Sequence, residues 1–207
     1  DETELRLGEG CRTLLLKPER KEPEKHQLLV DFEDGDRLAV IVLGYGFVSL
    51  ESSANKGNDY FAVSKVKPSP LSDAFDRAYL DRLLSPLKTG PLSLKAALAT
   101  EQRIPGFGNG VLQDVLFNAR QKKKKKLAQM SSAEFDRLYE SIKSVLGEMA
   151  DQGGRNTEVD LLGRIGGYLT KMSRATVGRP CPVCGETILK ESYMGGSIYT
   201  CPRCQTP

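Results

Sequence analysis

The chain has 207 residues, of which 39% are apolar and 28% charged. That length suits one large domain or two small ones, and the composition is polar but sufficient for a buried core. No apolar run approaches the ~20 residues of a membrane helix, and the acidic opening Asp1-Glu2-Thr3-Glu4 is unlike a secretory signal. A soluble, intracellular protein is expected. The net charge of +3 conceals an asymmetry: from Lys88 to Lys126 there are nine basic residues against two acidic, a local +7 on a remainder of −4. Such a block points either to a polyanion partner or to a solvated lysine face.

The first 66 residues read as strands. Glu4 to Leu7 alternates, and Arg12 to Leu16 is a short apolar run. Gln27 to Phe32 and Arg37 to Leu43 flank Asp34-Gly35, a hairpin signal. Tyr45 to Leu50 is a further candidate strand, while Lys17 to Lys25 and Ser52 to Asp59 read as loops. Lys67-Pro68-Ser69-Pro70 then marks a change to helical period. Ser72 is placed to cap a helix carrying Phe75, Tyr79, Leu80 and Leu83 that Pro86 stops, and Ser93 to cap a second with Leu94, Ala97 and Leu98 inward. Asn109 would cap a third, carrying Leu112, Val115, Leu116 and Ala119. Ser131 and Glu134 have capping-box spacing. They open a long helix that buries Phe135, Leu138, Ile142, Val145, Leu146 and Met149 and ends at Gly153-Gly154. Residues 155 to 180 are irregular and rich in glycine.

Four of the five cysteines form two pairs, Cys181-Pro-Val-Cys184 and Cys201-Pro-Arg-Cys204, separated by 16 residues. This is structural zinc spacing: each knuckle supplies one edge of a thiolate tetrahedron. The alternative is a redox or disulfide pair. The intervening segment is strand-like on both sides of Gly195-Gly196, so a hairpin is expected, too short to stand without a metal. Cys11 stands apart and is expected to be a buried thiol.

Arg103-Ile-Pro-Gly-Phe-Gly-Asn109 links two helical patterns. Glycines beside a helix N-terminus expose backbone N–H groups to an anion, and Lys95 on the preceding helix can reach the same place. An ordinary helix hairpin with a glycine C-cap would look the same.

Together these features resemble the Fpg/Nei family of DNA glycosylases, strongly from about residue 66 onward. The matching residues are Leu94-Lys95, fourteen positions before Asn109; Ile104-Pro-Gly-Phe-Gly-Asn109; Gln152-Gly-Gly154; Gly167-Tyr168; and the four cysteines. Residues 23 to 35 match more loosely, and His26, the single histidine, is read as structural. The resemblance implies an α+β chain in three parts. Residues 1–66 are the later strands of a β-sandwich, 67–172 a helix-two-turns-helix domain, and 173–207 a zinc-finger hairpin. It implies that Lys95, Gly108, Asn109 and Gly110 hold DNA phosphates, and that Cys181, Cys184, Cys201 and Cys204 hold one structural Zn²⁺. The implied activity is base-excision repair: a bifunctional glycosylase and AP lyase flips an oxidised base from the duplex and cuts through a Schiff base formed by an N-terminal proline amine.

The sequence departs from the family at three places. It opens without the family's Pro-Glu-Leu-Pro-Glu, so no catalytic residue is assigned, and a chain that lacks the catalytic segment and is inactive alone is expected. It reads Val42-Leu43-Gly44-Tyr45-Gly46-Phe47 where many relatives carry Asp-Pro-Arg-Arg-Phe-Gly, and Gly196 where relatives place a phosphate-gripping arginine. The expected partner is duplex DNA holding an oxidised base or abasic site, bound by a monomer in a bacterial-type cytoplasm, with no membrane involved. The alternatives are a non-catalytic zinc-finger module for damaged or bent duplex, and a zinc-ribbon protein that binds RNA or protein.

Overall fold

A computed structural model describes residues 3–8, 10–44, 46–52, 63, 65–100 and 103–205. The chain divides into two compact units, residues 1–58 with 152–168, and residues 59–151 with 169–207. These bounds cut across the three sequential parts expected above. Residues 152–168 group with the early strands, and the four-cysteine segment groups with the helices.

In the first unit β1 (Thr3–Leu7) pairs antiparallel with β5 (Val48–Ser52), and β2 (Cys11–Leu16), β4 (Arg37–Val42) and β3 (Leu28–Asp31) form a second sheet in the order β2-β4-β3. The Asp34-Gly35 signal holds: Gly35 takes a φ of +86°, and its N–H donates to Phe32 O. Leu14, Leu16 and Ala39 form a small core, with Leu29 and Ile41 packed on it. The alternation in β1 runs opposite to simple hydropathy. Arg6 is buried and ion-paired with Glu4 and Glu51, whereas Leu5 is exposed. Cys11 is half-buried rather than buried, and its thiol donates to Phe47 O. Residues 53–59 of the expected loop, and Tyr45, lie outside the described residues. The later segment joins this unit through Leu15 N–H donating to Leu161 O and Arg20 donating to Leu162 O. His26 Nδ1 pairs with Pro23 O, a structural contact.

The second unit holds α1 (Arg77–Leu84), a 3-10 turn at Ser85–Thr89, a π-helical turn at Ala96–Thr100, α2 (Asn109–Asn118) and α3 (Ser132–Asp151), then β6 (Leu189–Tyr193) and β7 (Gly196–Thr200). Its core gathers Phe75, Leu80, Leu84, Leu94, Leu98, Ile104, Phe107, Leu112, Leu116, Leu138 and Ile142, all buried. Three expected caps are tested by this geometry. Ser131 and Glu134 make the reciprocal capping box, each accepting from the other's backbone N–H. Ser93 Oγ accepts from Ala96 N–H, as a cap should. The first helix, however, is capped by Asp76, whose carboxylate accepts from Tyr79 N–H. Ser72 lies one turn too early, and Phe75 packs into the core ahead of the helix.

The lysine run is only in part a solvated face: Lys124 and Lys126 are exposed, but the others are not. Its backbone lies beside residues 92–95: Leu94 N–H donates to Lys125 O, Lys95 N–H to Lys123 O and Leu127 N–H to Leu92 O. This pairing turns Lys123 into the interior, where its side chain has no exposed surface.

Candidate nucleic-acid interface and metal centre

The four cysteine sulfurs lie within 4.8 Å of one another. Cys181 Sγ is 3.8 Å from Cys204 Sγ, and Cys184 Sγ is 3.4 Å from Cys201 Sγ. A tetrahedral ion with bonds of about 2.3 Å to sulfur needs edges of about 3.8 Å, so the cluster fits a soft divalent cation. The Glu186 backbone N–H draws the Cys184 thiol down to about 7, while burial raises the thiols of Cys201 and Cys204. A cation would resolve this crowding by taking all four as thiolates. The knuckles pack on Phe117 at the end of α2, together with Met172 and Ile188. Asp114, buried on the same helix, accepts from the N–H groups of Lys171 and Met172 and so holds the segment that leads into the cysteines.

Between the knuckles, β6 and β7 pair antiparallel with Tyr193 opposite Gly196. The turn is therefore Met194-Gly195 rather than the expected Gly195-Gly196. Both residues are left-handed, with φ of +49° and +71°, as a type I′ turn requires. Methionine in that conformation is uncommon, and here it stands 47% exposed at the tip.

This tip meets the sequence-predicted phosphate residues. Lys95 Nζ donates to Tyr193 O at 2.5 Å and to Met194 O at 3.2 Å. Its side chain is largely buried, and burial lowers its pKa. An ammonium carries three N–H donors; the two turn carbonyls take two of them. Asn109 Nδ2 is 3.5 Å from Ser197 O, and its Oδ1 is buried without a hydrogen-bond partner among the described residues. A Cβ added to Gly196 would lie 3.4 Å from Lys95 Nζ and 3.7 Å from Asn109 Nδ2. Lys95, Asn109 and Gly196 thus converge on one point. The N-cap of α2 is Gly108, with no side-chain capping bond, and Asn109 is the first helical residue rather than the cap. The N–H groups at this helix start are consequently left without a side-chain acceptor, which favours an anion.

Three participants were not singled out from the sequence: Gln113, Lys123 and Met194. Gln113 follows Asn109 by one helical turn, so helical spacing alone could have placed it on the same face. Nothing local marks Lys123 among its neighbours, because its burial is set by the distant hairpin.

The arrangement defines a class of protein: an open helix N-terminus with a lysine beside it, closed over by a four-cysteine hairpin. No family model matches the chain. The formamidopyrimidine-DNA glycosylase of Listeria monocytogenes serotype 4b is 28% identical over 195 residues, covering 92% of this chain and 70% of that protein. The formamidopyrimidine-DNA glycosylase of Prochlorococcus marinus (strain NATL2A) is 33% identical over 149 residues, covering 69% of this chain and 51% of that protein. Among solved structures, the Lactococcus lactis Fpg bound to DNA containing an abasic site aligns with a TM-score of 0.79 over all of this chain and 76% of that one, at 22% identity. The MutM (Fpg) protein of Thermus thermophilus aligns with a TM-score of 0.81 over 98% of this chain and 76% of that one, at 24% identity. The fold is that of the Fpg proteins. By sequence and by fold the chain is similar to the Fpg/Nei family of DNA glycosylases.

Proposed function

We propose that this chain acts in base-excision repair as the damaged-DNA-binding body of a bifunctional DNA glycosylase and AP lyase for oxidised bases. The observation that carries this reading is the convergence of Lys95, Asn109 and the hairpin tip at the open N-terminus of α2. There a strand's phosphates would be gripped without being read for sequence. Lys95, Gly108, Asn109 and Gly110 are the phosphate ligands in this reading. One Zn²⁺ on Cys181, Cys184, Cys201 and Cys204 keeps the hairpin folded. The three sequential parts then describe roles: strands, a helix-two-turns-helix grip and a zinc finger, distributed over two compact units. The partner is duplex DNA with an oxidised base or abasic site, taken by a single chain.

The test is equilibrium binding to a duplex carrying a tetrahydrofuran abasic-site analogue, measured across salt concentrations. Neutralising about three to five phosphates predicts a slope of log K against log salt of roughly −3 to −4.5. Lys95→Ala should weaken binding and make the slope shallower by about one. A salt-independent affinity, or an unchanged slope in Lys95→Ala, overturns the reading.

A further inference from the structure

β7 is an edge strand, with β6 on one side only. Its outward backbone groups are nevertheless satisfied one after another by side chains of the helical body. Gln113 Nε2 donates to Ser197 O at 3.1 Å, and Tyr199 N–H donates to Gln113 Oε1 at 3.1 Å. Lys123 Nζ donates to Tyr199 O at 2.8 Å, and Cys201 N–H donates to Gln205 Oε1 at 3.1 Å. The Gln113 amide is 3% exposed and bonds alternate groups of the strand through both of its ends, as a neighbouring strand's peptide group would.

We infer that Gln113 is a positioning residue for DNA binding: its amide replaces a third strand and fixes the register at which the hairpin tip meets Lys95 and Asn109. A hairpin side chain alternates faces with every residue, so a slip of one residue would carry Gly196 away from Lys95 and bring a different residue there. The knuckles cannot prevent that slip by themselves, because they hold the base of the hairpin and not its tip. Gln113 lies one turn after Asn109 on α2, so the helix that presents the anion site also sets the position of the hairpin closing it. This inference rests on the reading that the surface binds damaged duplex.

The experiment uses the zinc-loaded 207-residue chain and the tetrahydrofuran duplex, with Gln113→Leu, Gln113→Glu and Lys95→Ala compared at pH values from about 6 to 8. Zinc content and helical circular dichroism are followed in parallel. Gln113→Leu removes both bonds, strands Tyr199 N–H and leaves Ser197 O with only the 3.5 Å contact from Asn109 Nδ2. With one zinc retained, it should weaken binding roughly ten-fold or more. Gln113→Glu is the sharper arm. As a carboxylate it accepts from Tyr199 N–H but repels Ser197 O. As a protonated acid it again donates to Ser197 O and accepts from Tyr199 N–H. Burial raises the pKa of such an acid, so its affinity relative to the parent chain should recover as pH falls, a signature that loss of packing alone would not produce. If Gln113→Leu loses zinc, the pH recovery of Gln113→Glu decides the matter. Parent-like binding by Gln113→Leu and Gln113→Glu, with Lys95→Ala weakened, overturns the inference and leaves the DNA-binding reading intact; so does weak binding by Gln113→Glu with no recovery at low pH. Parent-like binding by Lys95→Ala overturns the DNA-binding reading itself.

Discussion

At the start of α3, Glu134 serves two structures at once. It accepts from Ser131 N–H in the capping box and from Lys125 Nζ at 2.5 Å. Lys125 is the main cause, with the Ser131 N–H next, of a carboxyl pKa lowered from 4.5 to about 2. A depressed carboxyl pKa gives stability that is present above pH 4.5 and lost as pH falls toward 2. Glu134→Gln should therefore flatten the acid limb of a stability profile taken by urea melts, and cost about 1 kcal/mol at neutral pH. Lys123 works in the opposite sense. Burial lowers its pKa from 10.5 to about 7, so the unfolded chain holds more protons between those values and stability rises with pH across that window. Lys123→Met should remove that rise, although it also strands Tyr199 O. Met194 presents a third test. An L-residue held left-handed is strained, so Met194→Gly should raise the melting temperature, worth about 1 kcal/mol. A fall would mean that the contact of Ser93 Oγ with Met194 Sδ outweighs the strain.

The hairpin of β6 and β7 is the element whose folding should depend on a metal held by the four cysteines. Its small apolar contribution, Ile188 and Ile198 beside the knuckles, cannot hold two short strands alone. Chelation should release one zinc per chain, lose the β6–β7 pairing and weaken DNA binding, while α1 to α3 persist; circular dichroism and elemental analysis check it. A Cys184→Ser chain that retained full zinc would contradict the ligand set. Much of this element was legible beforehand, because paired knuckles and a glycine turn are local chemistry. Its register was not. A two-residue turn can be drawn on Met194-Gly195 or Gly195-Gly196, and only the pairing of Tyr193 with Gly196 decides. The same division runs through the helices. The Ser131–Glu134 box was readable because both partners lie within one turn. Ser72 and Asp76 are both competent caps, and the choice between them was made by the burial of Phe75. In β1, local alternation could not reveal that Arg6 is buried with acidic partners.

Across the whole molecule, charge is spent internally more than the sequence implies. Of the nine basic residues between Lys88 and Lys126, seven donate to groups within the fold: Lys88, Lys95, Arg103, Lys123, Lys124, Lys125 and Lys126. The block is therefore as much a scaffold as a field, and the salt slope should fall toward the shallow end of its range, near −3. Lys124→Ala should leave that slope within experimental error, because Lys124 pairs with Glu191 on β6. The edge of β7 carries a last consequence. While the hairpin is seated, Gln113, Lys123 and Gln205 occupy the backbone groups through which another chain could pair. Release of the metal would unseat the hairpin and present those groups to solvent, and unpaired strand edges recruit one another. Zinc loss should thus show itself first as concentration-dependent self-association, seen by light scattering before any helix melts, so that a metal on the four cysteines would guard solubility as well as DNA binding.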